Sequence, residues 1–581
     1  MSPIDPQAER RRRLLTRAAP VALIGFIAFV AGALVARTSP DEQAAQRFVD
    51  AWVKQDFQAM HAELTDQAAK QYPEEDFIAE YASAETTATL KSVEAGEPDG
   101  TTSVSGQEAI AVPVTVHTHA FGDVSATLAV PTADGAVAWQ PELVFPGLTA
   151  GESLDRTIET PERAPILAAD GTPLARGDAA GRSSPIGTAA TNVAGEIGTP
   201  KPQEEAELER LGFPAGSLAG VTGLEQAFDT RLAGQPGGEL RAVSTDGGTG
   251  SERVLASGDP VDGEAVETTV NPDVQQATVT ALGNAFGGAA VLDAKEGSVL
   301  GLAGIAFSSP QPPGSTFKII TTTAALEADV VALDDTFPVQ TSVVAGKEIA
   351  NAHDEPCGGT FVVSFARSCN TVFAPLGIEI GNDKLVATAE AYGWNSEPTL
   401  YNAEATAITE PGESTIPNQI GNETDLAVSA IGQGEVLATP LQMASVSQAV
   451  ASGGIRMPTA LVTEPSLGPE FKQERVTSQD VANTLRDLMV GVVEEGTGIA
   501  GAVPGVEVAG KTGTAELGAD PAAPAPEEGE EPEQKQDAWF TAFAPASSPR
   551  YAVAVMIANT TEDGGTVAAP IAGQILSALL L

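Results

Sequence analysis

PPGSTFKIITTTAAL, residues 312–326, is the stretch on which the reading of this chain turns. Pro312, Pro313 and Gly314 make a turn, and the run after them is apolar and free of proline, so Ser315 is placed at the opening of a buried helix. Residues three apart on a helix share a face, which sets the Lys318 amine beside the Ser315 hydroxyl. Ser-x-x-Lys occurs once in the chain. A serine hydroxyl is a weak nucleophile until a base takes its proton. Lysine, with an ordinary pKa of about 10.4, serves as that base near neutrality only when burial and a second cation lower it. The pattern therefore asks for another lysine close by.

VAGKTGTAE, residues 508–516, supplies it and contains the sole Lys-Thr-Gly. Following PGVE, it reads as a strand in which Lys511 points one way and Thr512 and Thr514 the other. Gly513 has no Cβ to block an approaching backbone, so an edge strand able to hold an extended substrate is expected. Between these two segments, about fifty residues after Ser315, FARSCNT places Ser368, Cys369 and Asn370 in a Ser-x-Asn pattern.

The three motifs in this order resemble those of the class B penicillin-binding proteins. The resemblance covers almost the whole chain and takes in GQGEVLATPLQMA from Gly432, EEGTG from Glu494 and DAWFTAFAP from Asp537. It implies an α/β catalytic domain of the penicillin-binding and β-lactamase-like type, an antiparallel sheet flanked by helices. Ser315 would be the nucleophile, Lys318 its base, and Ser368 a proton relay between Lys318 and Lys511. Asn370 would hydrogen-bond the substrate amide and Thr512 and Thr514 the terminal carboxylate. The N–H groups of Ser315 and Thr514 would form the oxyanion hole. The implied reaction is D,D-transpeptidation of peptidoglycan stem peptides ending in D-Ala-D-Ala, with β-lactams acylating the same serine and no cofactor or metal required. A D,D-carboxypeptidase or β-lactamase, with water as acceptor, is the rival enzyme. A non-catalytic β-lactam-binding scaffold or sensor is the rival outside catalysis. A glycosyltransferase of the division or elongation machinery is the implied partner.

Composition bounds the rest. At 581 residues several domains are expected, and 42% hydrophobic with 19% charged residues is ordinary for a folded protein. A net charge of -47 disfavours nucleic-acid binding, which needs clustered Lys and Arg. Arg10 to Arg13 and Arg17 precede an uncharged apolar run at residues 18–36, long enough for a bilayer-spanning helix of about 20 residues. The cations lie before the span, so the chain is expected to be a single-pass protein of the cell membrane. Residues 1–17 would be a cytoplasmic tail and the remainder would lie outside. There the only two cysteines, Cys357 and Cys369, are free to form a bridge that braces the loop carrying Ser368 and Asn370; bridged and free thiols both stay open.

Residues 40–150 pass from helical spacing (Phe48, Trp52, Phe57, Met60) to period-two alternation. They read as a small α+β unit similar to the nuclear-transport-factor-2-like domain of MecA-type penicillin-binding proteins. His117 and His119 stand two apart on its expected strand, facing one side, with no third ligand evident, so a metal is not expected. Residues 151–265, rich in Gly, Pro and Ala, resemble the irregular β-rich pedestal or dimerisation region, through RAPILAADGTPLA from Arg163 and GVTGLEQAFDTRLAGQPGG from Gly220. Residues 266–581 form the expected transpeptidase domain, interrupted at 516–536 by an acidic, proline-rich stretch that cannot bury apolar surface and is expected as a mobile loop.

Overall fold

The computed structural model describes residues 39–104, 106–245, 252–518 and 535–581. The expected tail and membrane anchor lie outside the described residues. Among those described, no helix is long and apolar enough to cross a membrane. Two compact units are formed. One takes the chain up to Pro161 with Pro202–Ala215 and Gln235–Val261; the other takes Glu162–Lys201, Gly216–Gly234 and Asp262–Leu581.

In the first unit α1 (Pro40–Val53) starts from a reciprocal cap. The Glu42 N–H donates to Ser39 Oγ at 3.0 Å, the Ser39 N–H donates to Glu42 Oε2 at 2.6 Å, and Pro40 occupies the first turn. Its buried face carries Phe48, Val49 and Trp52, and that of α2 (Glu74–Ala88) carries Phe77 and Tyr81. Both helices pack on an antiparallel sheet of β1 (Leu90–Ala95), β2 (Thr101–Val104), β3 (Gln107–Thr118), β4 (Asp123–Ala133) and β5 (Ala136–Val137). Val112, Val114 and Val116 of β3 point into the core, the period-two pattern of a half-buried strand. β3 ends at Thr118, so His119 leaves the alternation that would set both histidines on one side. His117 Nδ1 instead lies 2.6 Å from Asp123 Oδ1, while His119 lies 3.4 Å from Arg210.

Three more antiparallel strands, β6 (Glu152–Glu159), β7 (Gly237–Ser244) and β8 (Arg253–Gly258), share this core through Leu154, Ile158, Leu240 and Leu255. Of the other parts of residues 151–265, Pro202–Ala215 belongs to the first unit, and Glu162–Lys201, Gly216–Gly234 and the residues from Asp262 pack in the second. There Asp170-Gly171 makes the hairpin its sequence suggests, between strands Ile166–Leu167 and Pro173–Ala175, with Gly171 at φ +84°. The two phrases that stand out in this region are tied together by charge. Glu225, 1% exposed, holds Arg163 at 2.7 Å and Arg182 at 2.8 Å, and Arg163 also holds Asp229 at 2.8 Å. A buried carboxylate persists when it is paired in this way.

The rest of the second unit is built on one antiparallel sheet. Among its elements, in chain order, are α3 (Pro272–Leu282), β9 (Gly287–Asp293), β10 (Val299–Gly304), α4 (Lys318–Glu327), α5 (Phe361–Ala366), α6 (Asn370–Ile380), α7 (Pro440–Ala451), α8 (Gln479–Glu494), β11 (Ala509–Gly518), β12 (Lys535–Ala544), β13 (Tyr551–Thr560) and α9 (Ala568–Leu580). The strand order is β10-β9-β13-β12-β11. Ala289 and Val291 of β9 join the core that contains α3 and α9, whereas Ala290 and Leu292 join the core that contains α4 and α7. With both faces covered, β9 and β13 read as continuous apolar runs. Helix α4 is buried all round, from Lys318 to Ala325. The sheet flanked by helices is the architecture implied by the motifs. Glu516, Lys535 and Gln536, expected within the acidic loop, are strand residues; positions 519–534 lie outside the described residues.

Candidate active site

Ser315 lies on a single 3-10 turn, Gly314–Phe317, that runs directly into α4. In a 3-10 turn residues three apart are nearly eclipsed, which sets Lys318 on the same side of the turn as Ser315. The turn is pinned by backbone. The Gly314 N–H donates to Gly432 O at 2.8 Å, and the Thr316 hydroxyl donates to Pro313 O at 2.7 Å. Ser315 itself is half-buried.

Lys318 and Lys511 are fully buried, and Ser368 lies between them. Lys318 Nζ is 3.2 Å from Ser368 Oγ, and Lys511 Nζ donates to the same oxygen at 2.8 Å. Lys318 also donates to Ser368 O at 2.8 Å and to Asn370 Oδ1 at 2.7 Å; Lys511 donates to Thr512 O at 3.0 Å. Burial first, and then the neighbouring Lys511 charge, hold the Lys318 pKa well below its ordinary value. Burial brings Lys511 down to about 7. The second cation that the Ser-x-x-Lys spacing asks for is therefore present. Ser368 adopts φ +60°. This left-handed conformation costs a non-glycine residue about 1 kcal/mol, and it places the Ser368 carbonyl and hydroxyl on the same amine. Asn370 opens α6 with its amide engaged inside the protein: its oxygen takes Lys318 and its nitrogen donates to Ala350 O at 2.9 Å.

Lys511 to Thr514 occupy β11, an edge strand of the sheet. β11 ends the sheet with a free edge, and Gly513 serves a close approach within the protein. A Cβ there would lie 2.6 Å from Pro313 O and 2.9 Å from Thr316 Cγ2, so the glycine lets β11 lie against the Ser315 turn. The two threonines differ. Thr512 is buried with its hydroxyl on that of Thr497, whereas Thr514 is half-buried with its hydroxyl 3.4 Å from Asp563 Oδ1. Thr497 belongs to EEGTG, a phrase that carries no chemistry when read alone. Asp563 and its partner His353 have no motif around them, and only the packing of distant loops brings them here.

Cys357 and Cys369 are bridged, with Cα atoms 5.3 Å apart and a sequence separation of 12. The bridge fastens the start of α6, between Ser368 and Asn370, to strand Cys357–Thr360. Closing a loop of this size removes unfolded-state entropy worth about 3 kcal/mol. Serine at both positions is therefore expected to lower unfolding stability by up to that amount in denaturant titration, and reduction of the native protein should do the same.

Comparison with known proteins agrees with this geometry. Residues 287–577 match the penicillin binding protein transpeptidase domain, residues 39–152 the NTF2-like N-terminal transpeptidase domain and residues 177–268 the penicillin-binding protein dimerisation domain. The chain is similar to the peptidoglycan D,D-transpeptidase PbpA of Mycolicibacterium smegmatis, at 34% identity over 420 residues, 62% of this chain and 79% of that protein. Among solved structures it resembles penicillin-binding protein A from M. tuberculosis in a ceftriaxone acyl-enzyme complex, with 28% identity and a TM-score of 0.56 over 72% of this chain and 99% of that one. It also resembles penicillin-binding protein 3 from the same organism with ampicillin, with 26% identity and a TM-score of 0.57 over 73% and 96% of the two chains. Motif order, buried lysine pair and domain matches coincide, and the chain belongs to the penicillin-binding protein transpeptidase family.

Proposed function

We propose that the protein is a peptidoglycan D,D-transpeptidase that works through an acyl-enzyme on Ser315. The observation that carries this reading is Ser368 Oγ, set between two buried lysines at 3.2 and 2.8 Å. Neutral Lys318 takes the Ser315 proton as Ser315 Oγ attacks the carbonyl carbon of the D-Ala-D-Ala peptide bond. The carbonyl oxygen gathers negative charge and is received by the N–H groups of Ser315 and Thr514. The C–N bond then breaks, the proton passes to the departing D-Ala amine, and Ser368 and Lys511 share the charge. An amine of a second stem peptide attacks the ester, restores Ser315 and forms the cross-link. Lys318, Ser368, Asn370 and Lys511 act on protons and position, Gly513 admits the strand to the serine turn, and Thr512 and Thr514 form the carboxylate end of the groove.

β-Lactams fit the same path, since ring opening by Ser315 leaves an acyl group with no leaving amine to depart. The apolar run at residues 18–36 supports a membrane anchor with the catalytic unit outside, where the Cys357–Cys369 bridge is stable and a glycosyltransferase partner would deliver nascent strands. The test is intact-mass spectrometry of the full-length protein with benzylpenicillin, followed by peptide mapping and an amine acceptor. One long-lived adduct on Ser315, transferred to the amine with a stem-peptide donor, is the expected result. Rapid release of hydrolysed drug would replace this reading with a β-lactamase.

A further inference from the structure

Beyond Thr514, two charged residues meet that the proton path of Ser315, Lys318, Ser368 and Lys511 does not use. Asp563 lies in the turn between β13 and α9, and His353 in the turn after strand Lys347–Ala350. His353 Nε2 and Asp563 Oδ2 are 2.8 Å apart, with side chains 66% and 33% exposed. His353 and Asp354 both lie in the left-handed region, at φ +54° and +53°. Residues other than glycine stay there only when their surroundings hold them.

Asn351 does the holding. Its N–H donates to Thr341 O at 2.9 Å, its amide nitrogen to Gln340 O at 2.8 Å and Glu355 O at 3.0 Å, and its amide oxygen accepts from the Thr371 N–H at 3.1 Å. His353 is thus carried on the framework that also holds Asn370, which reaches Ala350 O from α6. Asp563 faces the other wall. Its Oδ1 lies 3.4 Å from Thr514 Oγ1 and 3.5 Å from Gln536 Nε2, and the next N–H, that of Gly564, points at Thr514 Oγ1 from 3.4 Å. The pair joins the Asn370 wall to the Thr514 wall.

A bare carboxylate one hydrogen bond behind Thr514 would repel an arriving carboxylate, because like charges in one site disfavour each other. We propose that His353 and Asp563 form a positioning pair that makes the Thr514 end of the groove accept a carboxylate-terminated ligand: Asp563 orients the Thr514 hydroxyl, and positively charged His353 cancels the Asp563 charge. The proposal rests on the reading of Ser315 as the acylated nucleophile. Of the charged groups around His353, Asp563 faces it across the groove and Glu355 shares its loop. Glu355 is itself 3.9 Å from Arg367, and Asp354 is the adjacent residue. The hydrogen bond and charge of Asp563, and then Glu355, raise the His353 pKa, so the imidazolium persists above its ordinary range.

The test compares Ser315 acylation in the full-length protein by benzylpenicillin and by its methyl ester, which lacks the charge. His353→Ala is expected to slow the acid about fivefold and the ester less than about twofold, the scale of a part-exposed ion pair. Adding Asp563→Asn to that variant should restore most of the loss, because the charge that needed cancelling is gone. The preference of the native protein for acid over ester should decline as pH rises through the raised His353 pKa, and the His353→Ala profile should be flat. Asp563→Asn alone, which removes the carboxylate charge and keeps an amide oxygen as acceptor for the Thr514 hydroxyl, should raise the acid rate relative to the ester rate, which gives a second readout if His353→Ala folds poorly. Equal losses for both ligands, or no recovery in the double variant, would reduce the pair to a clasp and overturn the proposal. No adduct from either ligand on the native protein would instead overturn the acyl-enzyme reading, and this one with it.

Discussion

Exchanging Lys318 for methionine is expected to slow acylation of Ser315 by benzylpenicillin about a thousandfold, within the range of a lost general base. Methionine keeps the length and apolar stem of the side chain in a site where Lys318 is fully buried against the Phe373 ring, so the packing of α4 survives. What disappears is the one amine that follows Ser315 by a single turn and also touches Ser368 and Asn370. Lys511 does not substitute for it, because its Nζ donates to Ser368 Oγ and Thr512 O, on the far side of Ser368. The pH profile carries the sign. The proposed acylation requires neutral Lys318, and burial and then the Lys511 charge hold its pKa well below the ordinary value, so the rate should persist to lower pH than an ordinary lysine base allows and fall as Lys318 gains its proton. As pH drops past about 7 Lys511 gains its charge, and that charge is the second cause of the lowered Lys318 pKa. Stability moves in the same direction. Between about 7 and the unfolded value near 10.4, the unfolded chain holds a proton on Lys511 that the folded chain lacks, so stability rises with pH across that window. The same sign applies to Lys318, and the methionine variant should show a shallower rise. Acylation within about tenfold of the native rate would remove Lys318 as the base.

Chemistry confined to a few consecutive residues was legible in the sequence, and chemistry assembled by distant loops was not. Ser-x-x-Lys sets a demand for a lowered lysine pKa, and Lys511 meets it from a strand nearly two hundred residues away because only one Lys-Thr-Gly exists to place there. The antiparallel sheet was legible through the motif resemblance and through the two apolar runs about the turn at Lys295 to Gly297, which become β9 and β10. Two details escaped for physical reasons. Strand alternation separates Thr512 from Lys511 but does not tell that Thr497 will bury the Thr512 hydroxyl, since that depends on where the segment after α8 docks. The His353–Asp563 pair joins two loops with no periodicity, and neither residue stands in a pattern that distinguishes it from ordinary surface charge. Gly513 has protein neighbours that the sequence did not name, for a related reason. A missing Cβ shows that something comes close, and only the fold shows that it is Pro313 and Thr316.

Alanine at Gly432 is expected to be among the most damaging single changes in the second unit, lowering stability by more than about 3 kcal/mol and abolishing acylation of Ser315. Gly432 stands at φ +75°, where an alanine is strained by about 1 kcal/mol before any contact is counted. Its Cβ would then drive into Gly314 O and lie 2.7 Å from Phe317 Cβ. Relief is not available from a flexible side chain. Gly314, itself at φ +52°, is backed on its other side by Thr514, whose carbonyl oxygen already occupies the place a Gly314 Cβ would take. Three backbone segments are stacked here, Gly432 on Gly314 on Thr514, with the Gly314 N–H to Gly432 O bond of 2.8 Å inside the stack. Close-packed backbone transmits displacement rather than absorbing it. Pushing at Gly432 therefore shifts the Ser315 turn against β11, which carries Thr514, the proposed second donor to the oxyanion. A misplacement of about 1 Å is enough to lose a hundredfold in rate. Gly434, two residues further along the same phrase, is the control. It has φ +73°, but a Cβ there would meet only the Val428 side chain, at 3.2 Å. Alanine at Gly434 should show the conformational strain alone, about 1 kcal/mol, with acylation retained. Thermal unfolding and adduct formation measured together on the two variants separate backbone strain from displacement of the serine. Equal behaviour of the pair would show that the stack under Ser315 yields freely.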